Sequence, residues 1–191
     1  MAYKVRDEGP GFHHVVTRGN NRRPVYTSDR DRTVFFLMVD RLAKKHDWNV
    51  VAYCLMRSHY HVILEVGSKG LARGMDELNG GYARWFNGEH GRINHLFGRR
   101  YWNRPLRTEA ALANGVRYVV QNPRRAGVPG PLESHAWTSY APTIGVEFPH
   151  VTFRREDVLE LFGDRPASAI AQFKQFCGER VLPDHDGRQP P

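Results

Sequence analysis

The sequence contains only two cysteines, Cys54 and Cys177, and they lie far apart in the chain. Because neither belongs to a Cys-x-x-Cys pair, we predict no disulfide framework and no cysteine zinc site, and expect two reduced, buried thiols. The sequence also lacks an apolar run of the roughly 18 residues that a membrane-spanning helix requires. Its first residues, MAYKVRDEG, lack the apolar segment of a signal peptide. We therefore expect a cytoplasmic protein.

Lysine is scarce, since only 5 of the 28 basic residues are lysines and 23 are arginines. The formal net charge is +8, and residues 1–140 hold 22 basic and 12 acidic residues, whereas residues 141–191 hold 6 and 8. The planar guanidinium of arginine can hold phosphate oxygens with two hydrogen bonds and can stack on bases. The composition therefore favours a nucleic acid bound by the first 140 residues over a basic surface that serves solubility alone.

Hydrophobic periodicity and turn residues predict the order β, α, β, β, α, β, α. The predicted segments are a strand at 12–19, a helix at 33–46 preceded by Asp29 and Asp31, strands at 50–56 and 59–66, a helix from 70 to about 89 with a kink at Gly80-Gly81, a strand within 96–107 and a helix from Thr108 to Pro123. This order is typical of an α+β fold, a split βαβ antiparallel sheet of the ferredoxin-like or RRM-like type with helices packed on it.

The residues after this pattern predict a smaller unit. Two short helices are expected at 154–162 and 166–177, and the last residues, PDHDGRQPP, are expected to be disordered. We therefore divide the chain into a main domain, residues 1–142, and a helical C-terminal extension, residues 143–191.

Two histidines occupy alternate positions in the strand predicted at 59–66. Side chains of a strand alternate between its faces, so His59 and His61 point to one face while Tyr60 points to the other. Two imidazoles on one face can bind one divalent ion, and an amide oxygen from Gln121 or Asn122 would supply a third ligand.

The helix after Thr108 carries a tyrosine off its apolar stripe. At about 100° per residue, the stripe lies nearly opposite Tyr118. Asn122 lies on the tyrosine's side, together with Ala111 and Gly115, whose small size would leave room for a group to approach the phenol. A tyrosine there can attack a phosphorus atom and later leave again, so a phosphotyrosine link would conserve the bond for rejoining strands.

Several blocks of the sequence resemble one family. The tripeptide His59-Tyr60-His61 resembles the His-hydrophobic-His motif of the HUH single-strand nucleases, and RYVVQNPRRAG at 117–127 is similar to the nucleophile helix of the REP-associated tyrosine transposases. Further similar blocks are HHVVTRGNNRRPVY at 13–26, YARWFNGEHGR at 82–92, FGRRYWNRP at 97–105 and WTSY at 137–140. Together they cover roughly residues 10–142.

The resemblance implies an activity and a site. Residues 1–142 would be a tyrosine transposase catalytic domain that cuts single-stranded DNA beside palindromic hairpins and stays attached to the 5′ phosphate, as a protein of the bacterial nucleoid. Tyr118 would be the nucleophile, and His59, His61 and Asn122 would hold Mg²⁺ or Mn²⁺, with Asn122 favoured over Gln121. Whether the protein is a monomer or a dimer stays open.

Basic residues among aromatic ones are candidates for holding the DNA, because arginine and aromatic rings suit unstacked bases. These residues are Arg18, Asn20, Arg22, Arg99, Arg100, Tyr101, Trp102 and Arg104.

Two other functions compete with this hypothesis. One is a catalytically silent protein that binds DNA hairpins as a repressor or architectural factor. The other is an RNA-binding module of the same fold, which would need exposed aromatic residues on its central strands. The strand at 59–66 instead offers His59, His61 and Glu65 on the face in question.

Overall fold

The computed structural model describes residues 7–179, and the disordered end predicted at 183–191 lies outside them. Four strands and seven α-helices follow one another in this range. They are β1 (Gly11–Arg18), α1 (Asp29–His46), β2 (Trp48–Met56), β3 (His59–Val66), α2 (Ala72–Glu89), β4 (Trp102–Pro105), α3 (Glu109–Val120), α4 (Asn122–Arg125), α5 (Tyr140–Thr143), α6 (Arg155–Glu160) and α7 (Pro166–Gly178). The predicted order from the first strand to the third helix is confirmed.

The four strands form one antiparallel sheet in the order β2-β3-β1-β4. Neighbouring strands in space are therefore not always neighbours in sequence, as the predicted α+β, ferredoxin-like arrangement requires. The two histidine-bearing strands lie together, because β1 pairs with β3 over its full length, from Gly11 opposite Val66 to Arg18 opposite His59.

Each face of the sheet has its own core. Along β3, the side chains of Tyr60, Val62 and Leu64 pack in a cluster with the apolar sides of α1 and α2. Ile63 points the other way and packs with Leu112 and other residues of α3. The strict alternation along β3 thus decides which residues face α3.

Helix α1 begins at a capping box. Ser28 accepts a hydrogen bond from the backbone N–H of Asp31, and the Asp31 carboxylate accepts one from the backbone N–H of Ser28. The same carboxylate accepts bonds from the backbone N–H and the hydroxyl of Thr27, and lies 2.9 Å from His90 Nε2 at the end of α2. Asp31 is 1% exposed, so this network joins α1 to α2 below the surface.

Helix α2 runs without interruption through Gly80-Gly81, and a change of axis direction at that pair stays a prediction. Leu78, Tyr82 and Phe86, which lie one turn apart, are all buried in the core of that face. Their packing compensates for the helix propensity that two glycines cost, about 1 kcal/mol each relative to alanine.

The C-terminal extension shares a core with the main domain. Val158, Phe173 and Cys177 pack in the same cluster as α3, and the backbone N–H of Arg154 donates to the Val50 carbonyl at the edge of β2. Cys54 and Cys177 are buried and unbridged, as predicted. The division of the chain at residue 142 stays a prediction.

No helix in the stretch from residue 7 to residue 179 combines the length and hydropathy that crossing a bilayer would need.

Candidate functional site

His59 and His61 lie on the face of β3 that α3 covers. The pairing places His59 between Arg18 and Met56, and His61 between Val16 and Cys54. The two imidazole rings are 5.2 Å apart between centroids. His61 is 2% exposed, whereas His59, near the end of the strand, is only partly buried. The pair therefore reaches from the core toward the end of the sheet at which β3 begins.

Helix α3 brings a tyrosine to this pair. Thr108 begins the helix by accepting a hydrogen bond from the backbone N–H of Ala111. Gly115 lies directly against the sheet, since a Cβ there would sit 3.3 Å from Ile63 Cδ1 and 3.0 Å from Leu106 Cδ1. One turn later, the Tyr118 ring lies 5.8 Å from the His61 ring.

The role predicted for Gly115 was wrong. This glycine does not open space around the phenol, because its missing side chain lets α3 approach the sheet closely, and Gly115 itself is buried. The helical period locates a single apolar face, whereas α3 packs against both the sheet and the extension.

Tyr60 points to the opposite face, as predicted. It is fully buried in the core between the sheet, α1 and α2. Its hydroxyl donates to Asn79 Oδ1 at 2.6 Å and accepts from the Thr17 hydroxyl at 2.9 Å. Burial raises the pKa of Tyr60 well above the usual tyrosine range. The sheet therefore separates this phenol from the two histidines.

Both histidines are uncharged at neutral pH. Burial, and then the positive charge of Arg18, lower the pKa of His59 to about 4. Burial lowers the pKa of His61 well below its ordinary value, and neighbouring His14 and His59 act in the same direction. A neutral imidazole keeps a lone pair on one ring nitrogen, which is the form that binds metal ions.

The two amide residues after Tyr118 have different surroundings. The Gln121 side-chain amide donates to the carbonyl of Glu179 at 2.8 Å and to that of Cys177, so it is directed at the end of α7. Asn122 donates its side-chain N–H to the Tyr118 carbonyl at 3.0 Å. That bond uses the nitrogen of the Asn122 amide and not the oxygen, which is the atom a metal would need.

One ring nitrogen of the histidine pair is available to bind a metal ion. His61 Nε2 is buried and has no hydrogen-bond partner among residues 7–179, and a buried polar atom of this kind needs an explanation. Within the same range, no group of three or more His, Cys, Asp or Glu side chains is arranged to hold a metal ion. The predicted set differs from such a group, because its third ligand is an amide oxygen.

The structure adds two residues that the sequence did not indicate. His14 of β1 lies with its Nε2 3.0 Å from His61 Nδ1, and its ring is 5.6 Å from that of Tyr118. Burial, and then Arg104, lower the pKa of His14 to about 3. Arg125 lies over the Tyr118 ring, with its guanidinium carbon 4.7 Å from the ring centroid. The sequence signals for His14 were the pair His13-His14 in a predicted strand and its place in the family-like block at 13–26.

The candidate DNA-binding residues of the first loop lie at the same end of the sheet as His59. Arg18 is opposite His59, and its Nε is buried without a hydrogen-bond partner in the described part of the chain. Arg22 is exposed and has a left-handed backbone, with φ of 57°. The two candidate loops are neighbours, because the Asn20 N–H donates to the Leu96 carbonyl and the Gly98 N–H to the Arg18 carbonyl.

The second group of candidates divides between surface and core. Arg99 and Arg100 are exposed, and Arg100 lies 3.4 Å from a carboxylate oxygen of Glu8. Tyr101 is 1% exposed and its hydroxyl donates to Glu8, so its ring cannot stack on a base and its predicted role was wrong.

Strand β4 carries two further candidates on the face of the sheet that carries His59 and His61. Trp102 and Arg104 are partly buried, and β4 pairs them with Val16 and His14 respectively. The Trp102 ring lies 5.4 Å from the His14 ring in an edge-on arrangement. Both side chains therefore border the same site.

The chain is similar to known transposases. The family model described as "Transposase IS200 like" matches residues 12–122. A solved structure, described as "Structure of the REP associates tyrosine transposase bound to a REP hairpin", superposes with a TM-score of 0.62, at 15% sequence identity, over 78% of this chain and 90% of that chain. No curated protein matches significantly. Both matches agree with the family resemblance drawn from the sequence.

Proposed function

The chain belongs to the family of IS200-like transposases, and on this premise we propose that it is a metal-dependent endonuclease and strand transferase for single-stranded DNA. Its substrate would be DNA beside a palindromic hairpin, since the transposase of similar structure was solved bound to a REP hairpin. The protein would then act in the cytoplasm, at the bacterial nucleoid.

The single observation that supports this proposal best is the position of Tyr118. Its ring lies 5.8 Å from that of His61, on the face of the sheet that also carries His59. In the proposed reaction the Tyr118 oxygen loses its proton to solvent and bonds to phosphorus while the bond from phosphorus to the 3′ oxygen breaks, and the 3′ oxygen takes up a proton from solvent. The products are a free 3′ hydroxyl and a 5′-phosphotyrosine, which a second 3′ hydroxyl can attack to rejoin the strands.

His59, His61 and Asn122 would hold the divalent ion. When bound, Mg²⁺ or Mn²⁺ would supply Lewis-acid polarisation of a phosphate oxygen. The neutral imidazoles and the unpartnered His61 Nε2 suit a metal ligand, and two nitrogen ligands suit Mn²⁺ better than Mg²⁺. The Arg18 and Arg125 guanidinium groups place positive charge near Tyr118, where a phosphate would approach.

The DNA strand would be held by the two neighbouring loops and β4. Positive charge on exposed side chains gives attraction to phosphates that does not depend on sequence. The proposed residues are Arg18, Asn20, Arg22, Arg99, Arg100, Trp102 and Arg104. Arg100 is partly neutralised by Glu8, so Arg22 and Arg99 are the stronger candidates for phosphate contacts.

The direct test is the covalent product. The full-length protein is incubated with single-stranded hairpin DNA and Mn²⁺ or Mg²⁺, and the mixture is separated under denaturing conditions. We expect a protein–DNA adduct that forms only with the metal. Hairpin binding without an adduct at any metal concentration would instead support the catalytically silent DNA-binding protein.

An Asn122→Ala variant is expected to need more metal. If the Asn122 oxygen is the third ligand, its loss should raise the Mn²⁺ concentration for half-maximal adduct formation by about tenfold or more, an effect typical of damage to a metal site. Asn122→Asp, which keeps an oxygen at this position, should retain metal-dependent adduct formation. The readout is adduct yield over a Mn²⁺ titration.

Gln121→Ala is the matched control for this prediction. It removes the hydrogen bonds to α7 and should lower stability while leaving the Mn²⁺ requirement unchanged. If Gln121→Ala shifted the titration and Asn122→Ala did not, the ligand assignment would be reversed.

An Arg22→Ala variant should bind hairpin DNA about 3- to 10-fold more weakly, with a salt dependence of log K shallower by about 1, as expected for one lost phosphate contact. Fluorescence anisotropy at several salt concentrations measures both quantities. Arg165→Ala is the control, because Arg165 is exposed on the acidic extension. Equal losses in the two variants would show only a general charge effect.

A further inference from the structure

His14 stands beside the proposed metal ligands without being one of them. Its Nε2 lies 3.0 Å from His61 Nδ1, and both rings are buried, with centroids 5.2 Å apart. The hydrogen bond uses His14 Nε2, so His14 is not placed to bind the same ion through that nitrogen. The contact instead determines which His61 nitrogen carries the proton.

A hydrogen bond between two neutral imidazoles needs one N–H and one lone pair. If His14 donated, His61 would carry its own proton on Nε2, which is buried and has no acceptor among residues 7–179. An orphaned buried N–H is costly, and a protonated Nε2 cannot bind a metal. If His61 Nδ1–H donates, the lone pair of His61 lies on Nε2 and is available.

We infer that His14 is a positioning residue, which accepts the Nδ1–H of His61 and thereby fixes the tautomer and ring orientation that direct His61 Nε2 at a divalent cation. Partners of this kind orient metal-binding histidines in general, although carboxylates and carbonyls are the usual acceptors. The register supports the role, because β1 holds His14 two positions before Val16, the residue opposite His61, and therefore on the same face of the sheet. This inference rests on the proposed metal site.

The first test uses the wild-type protein without metal. Long-range ¹H–¹⁵N NMR spectra of the full-length chain report which nitrogen of each histidine carries the proton, and His61→Gln assigns the His61 signals. We expect His61 to be protonated on Nδ1 and His14 to be unprotonated on Nε2. The opposite tautomer of His61 would overturn the inference.

The second test compares two His14 variants of similar size. Each is titrated with Mn²⁺, and isothermal titration calorimetry measures the binding. His14→Gln places an amide oxygen near the position of Nε2 and should bind Mn²⁺ within about threefold of wild type. His14→Met offers no comparable acceptor and should bind roughly 10- to 100-fold more weakly. Equal binding by both variants would overturn the inference, and circular dichroism checks that each variant is folded.

The two tests separate this inference from the proposed function. If the wild-type protein bound no Mn²⁺, the metal-dependent function would fail, and the nitrogen shifts of His61 would still decide the direction of the hydrogen bond. If wild type and His14→Met bound Mn²⁺ equally, the metal site would stand and the positioning role would fall.

Discussion

Tyr118→Phe is expected to form no covalent adduct with hairpin DNA and to cut it at least roughly 10³-fold more slowly, since loss of a nucleophile leaves only binding and positioning. The variant removes one oxygen and keeps the ring, so the contacts with His14, His61 and Arg125 are retained. DNA affinity should therefore stay close to wild type. The measurements are adduct yield, single-turnover cleavage and hairpin binding.

Tyr60→Phe is the matched control, because Tyr60 lies in the same motif as the histidines but on the other face. It should keep the adduct and lower the free energy of unfolding by about 1 to 2 kcal/mol, since Thr17 and Asn79 lose their partner. The opposite result is an adduct that forms with Tyr118→Phe but not with a folded Tyr60→Phe. It would show that the nucleophile is assigned to the wrong tyrosine and would contradict the proposed mechanism.

Local periodicity was sufficient to predict the two faces of β3. Once residues 59–66 form a strand, the period of two places His59 and His61 on one face and Tyr60 on the other, whatever packs around them. The capping and stop signals at Thr108 and Pro123 likewise located α3 to within two residues. The face of the sheet that carries His59 and His61, and the helix that carries Tyr118, could therefore be predicted from the sequence.

The register between the strands could not be predicted from the sequence. His14 meets His61 only because β1 pairs with β3 in one particular register, with Val16 opposite His61. Strands that are 40 residues apart carry no local signal for such a pairing, because it depends on which apolar faces pack together. The prediction for Tyr101 failed for a related reason. Tyr101 directly precedes β4, and a four-residue strand gives too short a pattern to tell the buried face from the exposed one.

The Gly115 prediction failed at the level of packing. Periodicity identifies an apolar stripe, but it does not reveal that a second layer covers the helix from another side. The extension supplies that layer through Phe173 and Cys177, and its last described residues accept hydrogen bonds from Gln121. The helix that carries Tyr118 is therefore held from both sides, which restricts how far the phenol can move from the histidines.

Asp31→Asn is expected to lower the free energy of unfolding by about 3 kcal/mol at pH 7, because it replaces a buried carboxylate that accepts bonds from Thr27, Ser28 and His90. In the variant, the side-chain N–H donor would face Thr27 and Ser28 groups that are themselves donors, so hydrogen bonds would be lost. Urea unfolding measures the change. Asp29→Asn, two residues earlier and 79% exposed, loses only a surface pair with Arg32 and should change stability by less than about 0.5 kcal/mol.

The same carboxylate gives the expected effect a pH dependence. Burial by itself would raise the pKa of Asp31, but hydrogen bonds from Thr27, His90 and Ser28 outweigh it and lower the pKa to about 2, from 3.8. A depressed pKa contributes stability above the unfolded value, and this contribution is lost as the pH falls through the folded value. Wild type should therefore lose roughly 2 to 3 kcal/mol from this group between about pH 5 and pH 2, while Asp31→Asn loses none from it. The gap between the two proteins should narrow in acid, and a gap that stayed constant from pH 7 to pH 2 would show that Asp31 acts by shape and not by charge.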